Sequence, residues 1–451
     1  MSATPGFRCG VIEGFYGRPW SPAQRGRLLG WMSGWGLNTY LYAPKDDLKH
    51  RTLWREAYTE EELSALSVLV VGCRERGVEF VYAIAPGLDL RYAEELPVIE
   101  RRLAQVRDLG VRTFAILFDD IPEALRPEDA ARFGTFAGAQ VYVVNALKAG
   151  FRAQGDGDRL WFCPTVYCGR FAHDRVADNA YLREIGAGLA PGIEVLWTGP
   201  QIISEEIPVA SIRELRAVIR RRPLIWDNLH ANDYDLRRLY LGPLVGRTPE
   251  LRAEVAGLLS NPNCEFEANF VPLHTLASYA RGSDGWTPEG ALAAACDAWL
   301  PAFSSRSERP FTREDLDLLV ALFFLPHRAG PCVEQWITDF AFLVAHPVAE
   351  WGDRLARFER VSDAIAQLFL KITELADREL CFTFYRLAWE AQWELTPMRG
   401  YVRWLQSNPA RGARYTPRAD HRPGIYRSGV VARLHRLMPM AEDGGFGEPA
   451  R

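Results

Sequence analysis

Eight short, apolar, β-rich runs recur through the first 280 residues, and a helical pattern follows each one. The runs are 9–13, 37–43, 79–85, 113–118, 160–165, 194–197, 224–226 and 256–259. Strands this apolar need helices over their outer face, and strict strand–helix alternation specifies a parallel sheet. Eight such units close that sheet into a (β/α)8 TIM barrel. Start and stop signals bound the helices. Ser21-Pro22-Ala23-Gln24 reads as a capping box with proline in the first turn, and Gly36 stands where a terminating glycine belongs. Thr59 and Glu62 open a second helix, with Leu63, Leu66, Val70 and Cys73 on one face and Gly77 to stop it. Ser211-Ile212-Arg213-Glu214 is expected to open a third. The stretch 265–271 also looks strand-like, but Phe266, Phe270, Leu273 and Leu276 recur at helical spacing, so a helix is expected there.

Beyond Gly285 the pattern is helical throughout. Thr312 to Asp315 starts a helix with Leu316, Leu319 and Phe323 inward; Leu355, Phe358, Ile365, Leu368, Ile372 and Leu375 mark a second. A third, over 382–405, carries Phe382, Phe384, Tyr385, Trp389, Trp393 and Trp404. The expected division is a catalytic barrel over 1–285, a helical linker region over 286–311, an all-α helical bundle over 312–440 and a flexible tail over 441–451. A length of 451 residues suits a barrel of about 250 residues plus a second domain.

With 48% hydrophobic and 24% charged residues the chain is globular, not disordered or collagen-like. A net charge of -4, from 53 basic and 57 acidic residues, offers no electrostatic pull on nucleic acid or an anionic membrane. No apolar stretch approaches the 18 or so residues of a membrane span, and the first ten residues lack the apolar core of a secretory signal. Eight cysteines without a C-x-x-C read as buried thiols in a reducing cytoplasm. The eight histidines show no metal-binding spacing, so neither metal nor cofactor is expected.

In a barrel the chemistry sits where strands end. Asp119-Asp120 closes the fourth run, and two adjacent carboxylates repel unless one holds a proton, as a general acid does. The alternative is a helix cap or an ion pair. Lys45 follows the second run and is either a solvated loop lysine or a site hydrogen-bond donor. Asn228 and Asp233, after the seventh, are turn formers or partners for sugar hydroxyls. Tyr167 follows the fifth run and either packs or reaches the site. Trp20, Trp197 and Trp226 are core residues or a floor for a sugar face. Cys163 and Cys168 lack an evident base partner and read as buried thiols.

Taken together, segments 10–20, 37–47, 118–121, 197–200 and 226–235 closely resemble the O-GlcNAcases, glycoside hydrolase family 84. The likeness extends through 261–269 and, more loosely, through 312–331 and the long helices to Leu437. It implies a retaining β-N-acetylglucosaminidase in which the substrate's own 2-acetamido oxygen attacks the anomeric carbon to give an oxazoline, an exception to the two-carboxylate retaining scheme. By motif, Asp119 would polarise the acetamido N–H and Asp120 would serve as general acid and base. Tyr167 would bond the acetamido oxygen, Asn228 would support that group, and Gly14, Lys45, Asp233 and Asn261 would hold sugar hydroxyls. The resemblance also implies a GlcNAc-bearing glycoside or O-GlcNAc-modified peptide as substrate, and a homodimer in which the helical domain meets the partner's barrel. The sequence departs from the animal enzymes at Val166, where they carry an acid, and reduces their long insert to about 303–309.

Three readings remain open: a hexosaminidase acting on terminal β-linked GlcNAc, a hyaluronidase-like enzyme on polysaccharide, and a non-catalytic GlcNAc-binding module. The last would be expected to have lost Asp120, which is present.

Overall fold

The computed structural model describes residues 6–153, 155, 158–282, 285–407, 413–417, 429–438 and 446. The chain divides into two compact units. The first runs to Tyr234 and adds Leu244–Phe266 and Leu273–Pro288; the second comprises Asp235–Pro243, Glu267–Pro272 and the residues from Glu289 onward.

In the first unit eight parallel strands close in chain order: β1 (Arg8–Glu13), β2 (Thr39–Tyr42), β3 (Glu79–Ile84), β4 (Thr113–Leu117), β5 (Arg159–Cys163), β6 (Ile193–Trp197), β7 (Leu224–Asp227) and β8 (Gly257–Ser260). β8 returns to pair with β1, so the sheet has no free edge. Helices that include Pro22–Trp35, Glu60–Glu75, Leu96–Arg107, Phe136–Ala153 and Val209–Ile219 intervene between strands. Successive side chains on a strand point to opposite faces. One set, Ile12, Leu41, Val81, Ala83, Ala115, Leu117, Trp161, Leu196, Leu224 and Leu259, forms the barrel's internal core. The other set includes Phe114, Phe118 and Phe162; Phe118 packs edge-on against Phe162 at 6.1 Å.

The capping boxes at Ser21, Thr59 and Thr312 are all formed. The helix expected to open at Ser211 differs from expectation. It begins at Val209, because Pro208, with φ -64°, supplies a preset entry to the first turn; the Ser211 hydroxyl instead bonds back to the Pro208 carbonyl at 2.7 Å. On Glu60–Glu75, Leu69 joins Leu66, Val70 and Cys73 on the buried face, while Leu63 is only partly covered. Residues 266–269 form a 3-10 turn that runs into the helix Phe270–Arg281.

The second unit is helical, with Pro288–Trp299, Arg313–Leu322, Pro331–Ala345, Arg354–Thr373, Arg378–Gln406 and Gly429–Leu437. Pro331–Ala345 starts from Gly330 with proline in its first turn and no side-chain cap; it is a helix beyond the three singled out in this part of the sequence. Phe323 lies just past the end of Arg313–Leu322. Of 441–451 only Phe446 lies within the described residues; it is buried and exchanges two 2.8 Å backbone hydrogen bonds with Tyr415. Among the described residues no helix is long and apolar enough to cross a membrane. All eight cysteines are free thiols.

Candidate active site

The inward alternation of the strands continues past their ends. Two residues beyond Ile12 comes Gly14; four beyond Leu41, Ala115 and Leu224 come Lys45, Asp119 and Asn228; two beyond Leu259 comes Asn261. Tyr167 keeps the parity of Trp161 and Cys163. These residues converge with Asp120, Trp226 and Asp233 on one cavity of about 600 Å³ at the C-terminal end of the barrel. Tyr16, Cys163, Arg170, Thr198, Gln201, Ile202, Ile203, Ala231 and Tyr234 complete its wall, so every residue given a role by the family resemblance lines it, as does Trp226.

The paired aspartates are held differently. Asp119 is buried, with one oxygen 3.8 Å from the Lys45 ammonium and the other, Oδ1, without a hydrogen-bond partner. Lys45 Nζ is likewise buried and makes no hydrogen bond, so an ion pair at van der Waals distance leaves donors and an acceptor unspent beside the cavity. Asp120 is exposed and has φ +52°, a left-handed conformation that L residues enter at a cost and that gathers at functional sites. Its carboxylate accepts the Tyr167 phenol at 2.8 Å, and its carbonyl accepts from Arg51 Nη2 at 2.9 Å. Two residues upstream, the Phe118 carbonyl accepts from the Thr165 hydroxyl at 2.7 Å, which in turn accepts from Gln140 at 2.8 Å. The Tyr167 phenol is pushed well above its ordinary pKa, first by burial and then by the Asp120 charge, so it stays protonated and donates. Its backbone carbonyl is fixed by the Thr198 amide at 2.9 Å.

Opposite lies an amide cluster. Asn228 Oδ1 accepts from the Trp226 indole and from Asn261 Nδ2, both at 3.0 Å, and Asn228 Nδ2 donates to the Ile202 carbonyl at 2.8 Å. Asn261 Oδ1 is then left buried and unpartnered. A buried acceptor without a partner is costly, which points to a ligand donor at that place. Gly14 lets the Trp226 ring sit against the first loop: a Cβ there would lie 2.9 Å from the ring. Asp233 accepts the Tyr16 amide at 2.9 Å and ties the loop after β7 to the loop after β1.

Not every sequence candidate belongs here. Trp20 and Trp197 are core residues; Trp20 packs against Phe15 and Phe266 and gives its indole N–H to the Cys264 carbonyl. Cys163 touches the cavity, but burial and then the Asp119 and Asp120 charges push its thiol far up; burial also raises the Cys168 thiol. Neither is a thiolate nucleophile. Sequence reasoning missed Arg51 and the Asp227–Arg247 pair. Both charges of that pair are almost fully buried and bonded twice, at 2.7 and 2.8 Å, while Arg247 also caps the carbonyls of Ser204, Glu205 and Val245. No local pattern marks a partner twenty residues away. Tyr16, inside a quoted motif, could have been found from its place two residues after Gly14.

Hydrogen-bond donors and acceptors around an indole present a pyranose in negative, and a carboxylate pair to one side adds acid–base chemistry; together with the barrel they define a glycoside hydrolase. Known proteins narrow the class further. The chain belongs to the β-N-acetylglucosaminidase family, whose profile matches residues 9–311. It is an enzyme of the substrate-assisted, retaining type that the sequence resembles. Protein O-GlcNAcase of Mus musculus is 30% identical over 96% of this chain and 69% of its own length, and that of Rattus norvegicus matches to the same extent. A solved structure of an O-GlcNAc hydrolase mutant of Thermobaculum terrenum superposes with a TM-score of 0.77 at 25% identity, covering 96% of this chain and 94% of the other.

Proposed function

We propose that this enzyme removes terminal β-linked GlcNAc from serine or threonine side chains, with Asp119 and Asp120 dividing the catalytic work. The observation that carries the reading is the convergence of unspent polar atoms, Asp119 Oδ1, Lys45 Nζ and Asn261 Oδ1, on the cavity that also holds the Asp120–Tyr167 pair. In the first step the acetamido oxygen attacks C1 and the glycosidic C–O bond breaks, while Asp120 gives its proton to the leaving oxygen. Asp119 accepts the acetamido N–H and makes that oxygen a better nucleophile; the protonated Tyr167, whose single O–H rests on Asp120 in the free site, turns it to the acetamido oxygen when the sugar binds and so orients the attack. In the second step Asp120 takes a proton from water as the water oxygen attacks C1 and the oxazoline opens, with net retention. Adjacent residues at one strand end approach the sugar from one side, which suits a reaction whose nucleophile comes from the substrate rather than from an opposite carboxylate. Lys45, Asp233 and Asn261 serve the sugar hydroxyls, Gly14 and Trp226 shape the wall, and Asn228 orients Asn261 and keeps one amide hydrogen for the ligand.

The peptide aglycone is supported by the named activity of the mouse and rat relatives. A cytoplasmic setting is supported by the eight free thiols, and no nucleic-acid or membrane partner is part of the reading. A homodimer is supported by the aromatic face of Arg378–Gln406, on which Phe382, Tyr385 and Trp389 are exposed. The test is release of GlcNAc from a synthetic peptide carrying it on serine, followed by NMR of the first-formed anomer. β-Anomer release supports the reading; cleavage of hyaluronan fragments with no action on the peptide overturns it.

A further inference from the structure

We infer that Arg51 is a positioning residue for the general acid: by holding the peptide carbonyl of Asp120 it keeps the strained turn that aims the carboxyl at the glycosidic oxygen. This rests on the reading of Asp120 as that acid.

The left-handed backbone of Asp120 has no glycine to relax it, so something must hold it. Two contacts do: Tyr167 on the carboxylate, and Arg51 Nη2 on the carbonyl. Only the second acts on the main chain, where the strain lies. Arg51 is itself anchored. It is buried, and its amide bonds the Leu48 carbonyl at 3.3 Å, closing the 3-10 turn Leu48–His50. The neighbouring His50 places its imidazole 2.9 Å from the Ala83 carbonyl, and the Ala85 amide donates to the His50 carbonyl at 2.8 Å. The brace therefore runs from the end of β3 through His50 and Arg51 to Asp120. The same loop carries Lys45, which faces the Asp119 carboxylate. One loop thus reaches both aspartates, one by its side chain and the other by its peptide. Without the guanidinium, the carbonyl is free to rotate towards a commoner conformation and the carboxyl moves with it. The damage then falls on proton delivery rather than on sugar binding or acetamido attack.

The experiment compares the dinitrophenyl β-N-acetylglucosaminide, whose leaving group needs no proton, with the methyl glycoside, whose leaving group does. Wild type, Asp120→Asn, Arg51→Met and Arg51→Lys are assayed on both. Asp120→Asn is expected to lose the methyl glycoside far more than the dinitrophenyl substrate. Because Asp120 also serves as base in the second step, the comparison is made on kcat/KM, which reports only the steps up to aglycone departure: Arg51→Met should lower kcat/KM on the methyl glycoside by at least about tenfold, a part of what general acid catalysis supplies, with kcat/KM on the dinitrophenyl substrate little changed. Arg51→Lys, which keeps the charge without the planar fork, should fall between. Equal losses on both substrates in Asp120→Asn would refute the acid assignment. A selective loss there, with Arg51→Met either unaffected or equally impaired on both, would overturn the role of Arg51 alone. Dinitrophenyl turnover reports folding in each variant; should Arg51→Met not fold, an unchanged substrate ratio in Arg51→Lys overturns the inference by itself.

Discussion

At the scale of single residues the site is a set of unequal neighbours. Asp119 and Asp120 are consecutive, yet one is buried beside an ammonium and the other stands exposed in a left-handed turn against a phenol. On the role proposed for Asp119 at the acetamide, Asp119→Asn should slow even a dinitrophenyl substrate, by roughly 100-fold, since the acetamido oxygen must attack whatever the leaving group. Stopped-flow release of dinitrophenol measures this, and turnover near the wild-type value would remove Asp119 from the mechanism. At the end of β7 another aspartate is purely structural. Asp227, between Trp226 and Asn228, spends both oxygens on Arg247. Arg247→Leu should therefore cost about 3–5 kcal/mol, the penalty for stranding a buried carboxylate. Urea unfolding of the variant checks it, and a loss below about 1 kcal/mol would mean that water enters the pair.

Among the elements, the loop after β2 carries most of the site's precision, and its anchor His50 gives it a pH dependence. Burial, reinforced by the Lys45 charge, lowers the imidazole from 6.5 to about 3, so His50 is neutral in the folded protein well above that pH. The unfolded chain binds a proton at His50 below about 6.5 and the folded one does not, so stability falls as pH drops from there towards 3, by about 1.4 kcal/mol per unit. His50→Gln should flatten that limb of the stability–pH curve relative to wild type; parallel curves would show that His50 is not the cause. The loop also shows how much could be read in advance. All eight strands were legible because a parallel barrel makes them apolar runs, and Lys45, Asp119 and Asn228 because they directly follow those runs, where a barrel keeps its chemistry; Asn261 was singled out by the family resemblance. The family resemblance supplied their roles, which spacing alone left open. Arg51 was not legible: its partner is a carbonyl, which has no letter in the sequence. The start of Val209–Ile219 was missed for a related reason, because Pro208 outranked a serine two residues inside the helix.

For the whole molecule, the aromatic face on Arg378–Gln406 bears on assembly. Phe382 is 64% exposed, Tyr385 42% and Trp389 37%, more apolar surface than one helix of a monomer usually leaves in water. Light scattering at micromolar concentration should give twice the chain's 50.9 kDa, and Phe382→Ser with Trp389→Ser should return the monomer mass; a monomeric wild type would dispose of the dimer. The catalytic account rests on a different claim, that the substrate brings its own nucleophile. The most direct measurement compares nitrophenyl N-acetyl-β-D-glucosaminide with its mono-, di- and trifluoroacetyl analogues and with the plain β-glucoside, which lacks the acetamide. The account predicts that kcat/KM falls steeply with each fluorine, as the carbonyl oxygen loses charge, and that the glucoside is inert. Rates indifferent to fluorination, or comparable turnover of the glucoside, would contradict it and take with them the roles assigned to Asp119 and Tyr167.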